Sequence, residues 1–341
     1  MANITVLGAG GFGLSLAIMW SKNGHKVSVW SHNKEMAEKL QKEREHETLL
    51  KGRKIPDEVL ITNDIDVVSS ADIAVVAVPS VAVRECCQLI KNRLKNGAIV
   101  ACVSKGFEEG SLKLLSEVME EEFAFKNESC VLSGPSHAEE VSLLEPTTVV
   151  VSSKNRTTSE KIQDELMNSS FRIYVSDDVV GVELGAALKN VIALASGCCD
   201  GLGYGDNVKA ALLTRGLTEI ARLGVSMGAR SETFAGLSGM GDLIVTCTSM
   251  HSRNRRCGIL IGQGKTAKEA IKEIGMTVEG YKATKAAKEL SERYGVEMPI
   301  INEAYKVLYE NKEPKLAIRE LMTRPKRHES EAIWLMQNNR K

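Results

Sequence analysis

The spacing of hydrophobic positions along this chain changes near residue 178. Before that point, short apolar runs alternate with amphipathic stretches, the pattern of parallel strands buried on both faces with helices between them. After it, apolar residues recur at helical spacing and Gly-rich loops separate the segments. We therefore expect a doubly wound α/β sheet over residues 1–178, an all-helical domain over 179–330 and a polar tail at 331–341.

The same pattern predicts individual elements, and the last stretch, 323–341, is expected to fray. The predicted strands are Ile4–Leu7, Lys26–Trp30, Ile73–Val78, Ile99–Val103, Cys130–Ser133, Thr147–Ser152 and Phe171–Val175. The predicted helices are Leu14–Asn23, a charged and solvated stretch at Glu35–Lys54, Val179–Cys199, Val208–Leu223, Asn254–Ile261, Thr266–Ile274, Lys282–Tyr294, Ile300–Tyr309 and Pro314–Met322.

A glycine-rich turn, Gly8-Ala9-Gly10-Gly11-Phe12-Gly13, joins the first strand to the first helix. In a βαβ unit, Gly8 makes the tight turn, Gly10 lets the backbone approach a pyrophosphate, and Gly13 allows close helix–strand packing. The helix N-terminus adds N–H donors and a positive dipole end. The motif predicts a dinucleotide site, and a ligand-free βα turn is the alternative.

The end of the second strand bears on which dinucleotide is bound. An acidic residue there would bond the ribose 2′-hydroxyl of NAD. This chain has Trp30-Ser31-His32-Asn33-Lys34 and no acid before Glu35. Because His32, Asn33 or Lys34 could hold a 2′-phosphate, we expect NADPH to be accepted; the alternative is that these are ordinary loop residues.

Composition excludes several classes of partner. The 44 basic and 44 acidic residues balance, which gives no electrostatic case for nucleic acid or membrane binding. The eight cysteines form no C-x-x-C pair, so we expect inert buried thiols and no metal site. No signal peptide precedes the first strand, and no apolar run approaches the ~20 residues of a membrane span. These features predict a soluble, cytoplasmic protein.

Three predicted strands end in chemically distinctive sequences. They are followed by Val78-Pro79-Ser80, by Ser104-Lys105-Gly106 and by the run Ser133–Ala138. Ligands of open α/β sheets bind outside the carboxyl ends of the strands, so Lys105 is expected to project into that crevice. Taken alone, Lys105 could equally be a surface lysine.

Lys189 is the only ionisable residue between Leu184 and Gly197. Its helical neighbours are small or apolar, so it either extends to solvent or is buried near a site. Burial would lower the pKa of its amine toward a range suited to proton transfer.

Two further segments carry candidate chemistry. Asp242 precedes Thr246 by four residues, which places both on one helix face, although Asp242 could merely cap that helix. Ser252-Arg253-Asn254-Arg255-Arg256 combines a cap, free N–H groups and guanidinium donors, as a phosphate site would; a basic exposed turn is the alternative. The residues together predict a dehydrogenase acting on a small anionic substrate.

The chain resembles the soluble bacterial NAD(P)-dependent glycerol-3-phosphate dehydrogenases along nearly its whole length. Seven motifs in family order carry the resemblance: GAGGFG at 8–13, VSKG at 103–106, GPSHAEEV at 134–141, ALKNV at 187–191, GLSGMGDL at 236–243, SRNRRCG at 252–258 and VEG at 278–280.

The resemblance implies interconversion of dihydroxyacetone phosphate and sn-glycerol 3-phosphate for phospholipid synthesis, with NADP or NAD as cofactor, by a homodimer. It also implies that Lys189 is the catalytic acid/base, with Lys105 and Asp242 positioning the substrate. Substrate contacts would come from Gly134, Ser136, Ser252, Arg253 and Asn254, and cofactor contacts from Gly11, Phe12, His32, Lys105, Ala138, Arg253 and Glu279.

Two alternatives remain at this point. Other two-domain dehydrogenases, acting on phosphogluconate or ketopantoate, share the plan, and the GPSHA and SRNRR motifs argue against them. A catalytically silent NADPH sensor would be expected to lack Lys105, Lys189 or Asp242, and all three are present.

Overall fold

The computed structural model describes residues 1–124, 126–326 and 328–329. The chain divides into two compact units, Met1–Val179 and Val180–Lys341. The first is built on a sheet with helices, and the second is helical. The predicted tail at 331–341 lies outside the described residues.

The first unit contains one sheet of eight strands in the order β3-β2-β1-β4-β5-β6-β7-β8. Because the strand order reverses between β1 and β4, the carboxyl ends of these two strands border the crevice where nucleotides bind in doubly wound sheets. The strands are β1 Asn3–Leu7, β2 Lys26–Trp30, β3 Leu60–Thr62, β4 Ile73–Val76, β5 Ile99–Cys102, β6 Ser129–Ser133, β7 Thr147–Ser152 and β8 Phe171–Ser176.

The sheet is mixed, whereas the sequence predicted parallel strands throughout. Strand β7 is antiparallel to β6, and β8 is parallel to β7. A parallel connection needs a crossover that covers the sheet. The connection between β6 and β7 holds only the short helix Ala138–Ser142, which packs against the first helix of the chain instead.

Six α-helices lie within the described residues of this unit: α1 Gly11–Lys22, α2 Lys34–Glu43, α3 Val83–Ile90, α4 Leu115–Phe123, α5 Ala138–Ser142 and α6 Arg156–Leu166. The predicted helix at Glu35–Lys54 is wrong in its second half. Arg44 adopts the left-handed conformation (φ 56°) and ends α2, and its guanidinium donates to Val59 O at 2.6 Å. In the loop that follows, Leu50 is buried in the core. The apolar positions of this loop therefore reflect its packing against the core and not a helix.

The second unit contains nine helices within the described residues: α7 Val179–Gly201, α8 Asp206–Ser226, α9 Ser231–Phe234, α10 Asp242–Thr248, α11 Arg253–Gly262, α12 Ala267–Ile274, α13 Glu279–Arg293, α14 Pro299–Tyr309 and α15 Pro314–Met322. Helix α7 has the length and mean hydropathy of a membrane span, contrary to the sequence expectation. Because 89% of its most apolar window is buried in the protein, α7 is the core helix of this unit.

Glycines bring α7 and α11 into backbone contact. A Cβ at Gly197 would lie 2.0 Å from Arg255 O, and one at Gly258 would lie 2.0 Å from Leu194 O. Gly201 and Gly262 meet the facing backbone one turn further along. The two helices therefore approach more closely than any side chain at these positions would allow.

All eight cysteines are buried and none forms a disulfide, as the sequence predicted. Burial raises the pKa of the thiols of Cys86 to about 12 and of Cys199 and Cys257 to about 11. These thiols pack as small apolar side chains.

Replacing Gly258 by Ala should destabilise the protein, because the added methyl group must displace the α7 backbone. Overpacking of this kind costs about 1–3 kcal/mol, which urea unfolding will measure. Gly205→Ala is the matched control, since nothing lies within 4 Å of a Cβ there. Equal stability of the two variants would contradict the close helix contact.

Candidate active site

The ends of three neighbouring strands converge in the first unit, as the sequence predicted. Ser104, after β5, donates its hydroxyl to Val78 O, after β4, at 2.5 Å. Lys105 Nζ donates to Gly134 O, after β6, at 3.2 Å. The lysine therefore lies across the strand ends rather than on an unrelated surface.

The turn between β1 and α1 has the geometry of a phosphate-binding turn. Gly8 has φ +123°, and a Cβ on Gly13 would lie 2.2 Å from Gly8 O, so both positions require glycine. At Gly10, which caps α1 without a side chain, nothing lies within 4 Å of a Cβ. The backbone there is open to a ligand at a helix N-terminus, which fits a pyrophosphate.

The loop after β6 returns to the same glycine turn. Gly134 has φ +143°, and a Cβ there would lie 2.9 Å from Val149 Cα. Ser136 donates its hydroxyl to Gly134 O at 3.0 Å and precedes α5. A Cβ on Gly11 would lie 3.8 Å from the Cβ of Ala138, so these two predicted cofactor contacts are neighbours.

The three residues after β2 that could hold a 2′-phosphate differ in the contacts that they make in the protein. His32 and Lys34 are exposed, and Lys34 lies 3.8 Å from Glu38. Asn33 caps α2, accepting a hydrogen bond from Met36 N at 2.9 Å. The side-chain oxygen of Asn33 therefore has a structural role, and His32 and Lys34 are the better candidates for a 2′-phosphate.

In the second unit, Lys189 is buried, with 4% of its surface exposed, which excludes extension to solvent. Its Nζ forms a buried ion pair with the carboxylate of Asp242 and donates to the hydroxyl of Thr246 at 2.8 Å. Thr246 in turn donates to the backbone oxygen of Asp242 at 2.5 Å. The alternative in which Asp242 only caps a helix is therefore wrong, since its carboxylate binds Lys189.

A π-helical turn, Leu237–Gly241, delivers Asp242 to α7. A Cβ on Gly185 would lie 2.6 Å from Ser238 O, so α7 must present glycine where the turn crosses it. Gly239 is equally constrained, because a Cβ there would lie 2.1 Å from Phe234 O. The GLSGMGDL motif thus folds into a close backbone contact that aims its acid at Lys189.

The N-terminus of α11 is capped as predicted, with Ser252 Oγ accepting from Arg255 N at 3.2 Å. Asn254 donates to Asn190 Oδ1 at 2.9 Å and accepts from Gly280 N at 2.8 Å. The amide of Asn254 therefore ties α11 to α7, one residue from Lys189, and to the start of α13, next to Glu279. Arg253 is the first residue of α11.

Sequence analysis did not identify the ion pairs that Asp200 of α7 forms near the start of α11. Arg255 donates to Asp200 at 2.7 Å and to Thr248 O at 2.7 Å, and Lys209 also pairs with Asp200 at 2.8 Å. Arg255 thereby fixes the C-terminus of α10 against α7. No local pattern reveals this, because Asp200 lies 55 positions from Arg255.

The described residues contain no group of three His, Cys, Asp or Glu side chains arranged to hold a metal ion. The candidate chemical groups described above in the second unit are a lysine, a carboxylate that binds it and a helix N-terminus.

Comparison with known proteins places this arrangement in a family. The profile for the N-terminal domain of NAD-dependent glycerol-3-phosphate dehydrogenase matches residues 3–159, and the profile for its C-terminal domain matches residues 178–319. The glycerol-3-phosphate dehydrogenase [NAD(P)+] of Clostridium perfringens is 52% identical over 330 residues, covering 96% of this chain and 99% of the relative. The chain belongs to the NAD-dependent glycerol-3-phosphate dehydrogenase family.

Two further members extend the comparison. The dehydrogenase [NAD(P)+] of Fusobacterium nucleatum is 51% identical over 331 residues, covering 96% of this chain and 99% of the relative. The crystal structure of glycerol-3-phosphate dehydrogenase from Coxiella burnetii is 36% identical, with a TM-score of 0.90 over 95% of this chain and 99% of that one. Membership makes this chain an NAD(P)-dependent oxidoreductase with a Rossmann-type nucleotide domain.

Gly10→Ala should leave the fold intact and weaken cofactor binding, because the methyl group meets no protein atom but occupies the approach to the pyrophosphate. We expect the Kd for NADPH to rise at least tenfold, about 1.4 kcal/mol, as measured by cofactor fluorescence, with an unchanged melting temperature. Gly205→Ala, the control, should bind normally. Normal affinity in Gly10→Ala would show that the pyrophosphate binds elsewhere.

Proposed function

We propose that this chain reduces dihydroxyacetone phosphate to sn-glycerol 3-phosphate, and catalyses the reverse reaction, with NADPH or NADH. The observation that carries the proposal is the buried Lys189–Asp242–Thr246 cluster in a chain of this family. A lysine buried against a carboxylate is suited to proton transfer, and structural stability alone gives no reason to bury it.

The first unit supplies a fitting dinucleotide site. The open backbone at Gly10 and the N-terminus of α1 suit the pyrophosphate, and His32 with Lys34 suits a phosphate on the adenosine ribose. When bound, the cofactor supplies the hydride. The residues proposed to contact it are Gly8, Gly10, Gly11, Phe12, Gly13, His32, Lys105, Ala138, Arg253 and Glu279.

Lys189 is the proposed acid and base. In the direction of reduction, its ammonium group donates a hydrogen bond to the ketone oxygen and transfers a proton to it as the alcohol forms. In the reverse direction the neutral amine accepts that proton. Charge developing on the oxygen is stabilised most where water is excluded, and Lys189 is buried in this way.

Asp242 and Thr246 hold the lysine in place. The carboxylate and the hydroxyl both bind Nζ, which fixes the position of the ammonium group that is proposed to face the substrate. The hydrogen bond that the Thr246 hydroxyl donates to Asp242 O fixes the position of this hydroxyl relative to Asp242 on α10. Thr246 is therefore proposed as a positioning residue.

The N-terminus of α11 is proposed to bind the substrate phosphate. Arg253, the first residue of α11, supplies a guanidinium group, and the helix start supplies its first N–H groups. Asn254 uses one amide hydrogen to reach Asn190, and its second is proposed to reach the substrate. The proposed substrate contacts are Lys105, Gly134, Ser136, Lys189, Asp242, Ser252, Arg253 and Asn254.

In the cell, we propose, residues 1–178 bind the nucleotide and residues 179–330 bind the substrate, in a cytoplasmic homodimer. Its product would supply the glycerol phosphate backbone of phospholipids. The eight buried cysteines, none of which forms a disulfide, support the proposal of a reducing compartment.

The function is tested by following NADPH and then NADH absorbance with purified protein and dihydroxyacetone phosphate. Lys189→Met should lower kcat by about 10²- to 10⁴-fold, the usual contribution of a general acid. Lys285→Met, at an exposed position of α13, is the matched control and should keep full activity. No oxidation of either cofactor by the native chain would refute the reaction, and activity in Lys189→Met would assign the proton to another group.

Arg253→Ala tests the phosphate site by comparing two substrates. Loss of a charge-assisted hydrogen bond should raise KM for dihydroxyacetone phosphate about 10- to 100-fold. The kcat/KM for dihydroxyacetone, which lacks the phosphate, should barely change. Arg293→Ala, on the exposed end of α13, is the control, and an equal loss for both substrates would place Arg253 elsewhere in the mechanism.

A further inference from the structure

A groove of about 960 Å³ runs between α8, α14 and α15 in the second unit. Its size is that of pockets that enclose most of a drug-sized molecule. Apolar side chains form its walls: Val208, Ala211 and Leu212 from α8, and Leu316, Leu321 and Met322 from α15. None of the residues assigned above to the cofactor or substrate lines it.

Helix α15 leaves part of its apolar surface uncovered. Ala317 is its only buried residue, whereas Leu316, Ile318 and Leu321 are half-buried and Met322 is 81% exposed. Amphipathic helices of globular proteins normally bury such a face against another segment. The groove side of α15 therefore has the character of a surface that a further apolar segment covers.

The chain itself leads into this groove. Arg215, one of the lining residues, donates to the backbone oxygen of Glu329 at 3.4 Å. The sequence then continues Ser330-Glu331-Ala332-Ile333-Trp334-Leu335-Met336, whose last five residues are all apolar. Trp334 is five residues beyond Glu329, within about 17 Å of it for an extended chain.

The charges of the groove and of this segment are complementary. Arg215, Arg222, Arg319, Arg324 and Lys315 outnumber the two acidic lining residues, Glu219 and Glu313. The segment opens with acidic residues, Glu329 and Glu331, immediately before its apolar run. The acidic start of the segment and the apolar run after it are therefore complementary to the basic and apolar side chains that line the groove.

We propose that residues 331–336 of the same chain bind in this groove, placing Ile333, Trp334 and Leu335 against α8 and α15. The segment acts as an intramolecular ligand that covers the apolar face of α15. This role is independent of the dehydrogenase reaction.

The test uses the full-length chain labelled with 5-fluorotryptophan. The chain has three tryptophans, so ¹⁹F NMR gives three signals, and Trp334→Phe identifies the one from Trp334. In the native chain this signal should be shifted from its position in a synthetic peptide of residues 330–341. Leu316→Glu, in the groove, should return it to the peptide position.

Two further variants test whether loss of the shifted Trp334 signal comes from release of the segment or from damage to the fold. Ala211→Glu introduces the same charge at an exposed position on the other wall of the groove and should also release the Trp334 signal. Tyr294→Glu, at a position 43% exposed and outside the groove lining, should leave it shifted. A native signal at the peptide position, or a shifted signal unmoved by both groove variants, overturns the proposal.

A final experiment, in which two kinds of chain are mixed, shows whether the segment binds the groove of its own chain or that of a second copy. Labelled Leu316→Glu chains are mixed with unlabelled native chains, and molecular mass is measured by light scattering. The labelled Trp334 should stay at the peptide position, because its own groove is blocked. Recovery of the shifted signal would show that the segment binds the groove of a second copy, which contradicts docking within one chain.

Discussion

Lys189 and Asp242 bury opposite charges against each other, and much of the helical unit serves to keep them paired. Removing an ion from water costs several kcal/mol, which the attraction between the charges offsets only in good geometry. The geometry here is supplied by Thr246 beside the pair, by the π-helical turn before Asp242, and by Gly185, which lets that turn reach α7. A slip of either helix would leave a buried charge without its partner.

The same helix, α7, also carries the contacts that place the proposed phosphate site at the start of α11. Gly197 and Gly201 meet α11 through backbone alone, and Asn190 binds Asn254 near the start of α11. The proposed proton donor, Lys189, and the proposed phosphate site are thus held in one rigid frame inside the helical unit. A separation set by backbone contacts varies little, which is what orienting a small ketone for reaction requires.

Most of this arrangement could be predicted from the sequence where local chemistry determines the structure. The turn Gly8–Gly13, the lysine in an apolar helix and the Ser252 cap each follow from spacing and residue type. The antiparallel direction of β7 could not be predicted, because it depends on where α5 packs. The true end of α2 was missed because Arg44 takes a left-handed conformation that is uncommon outside glycine and asparagine. Long-range pairs such as Asp200 with Arg255 have no local signature at all.

The buried cysteines give this protein a set of internal reporters. A thiol reagent attacks the thiolate, and here the thiols are both shielded from solvent and, as for Cys86 and Cys247, raised in pKa to about 12. Labelling must therefore wait for the surrounding structure to open. Cys86 and Cys87 lie on α3 in the first unit, whereas Cys198 and Cys257 lie where α7 packs against α11 in the second unit. The rates at which these sites become modified measure how often each unit opens locally, without any added probe.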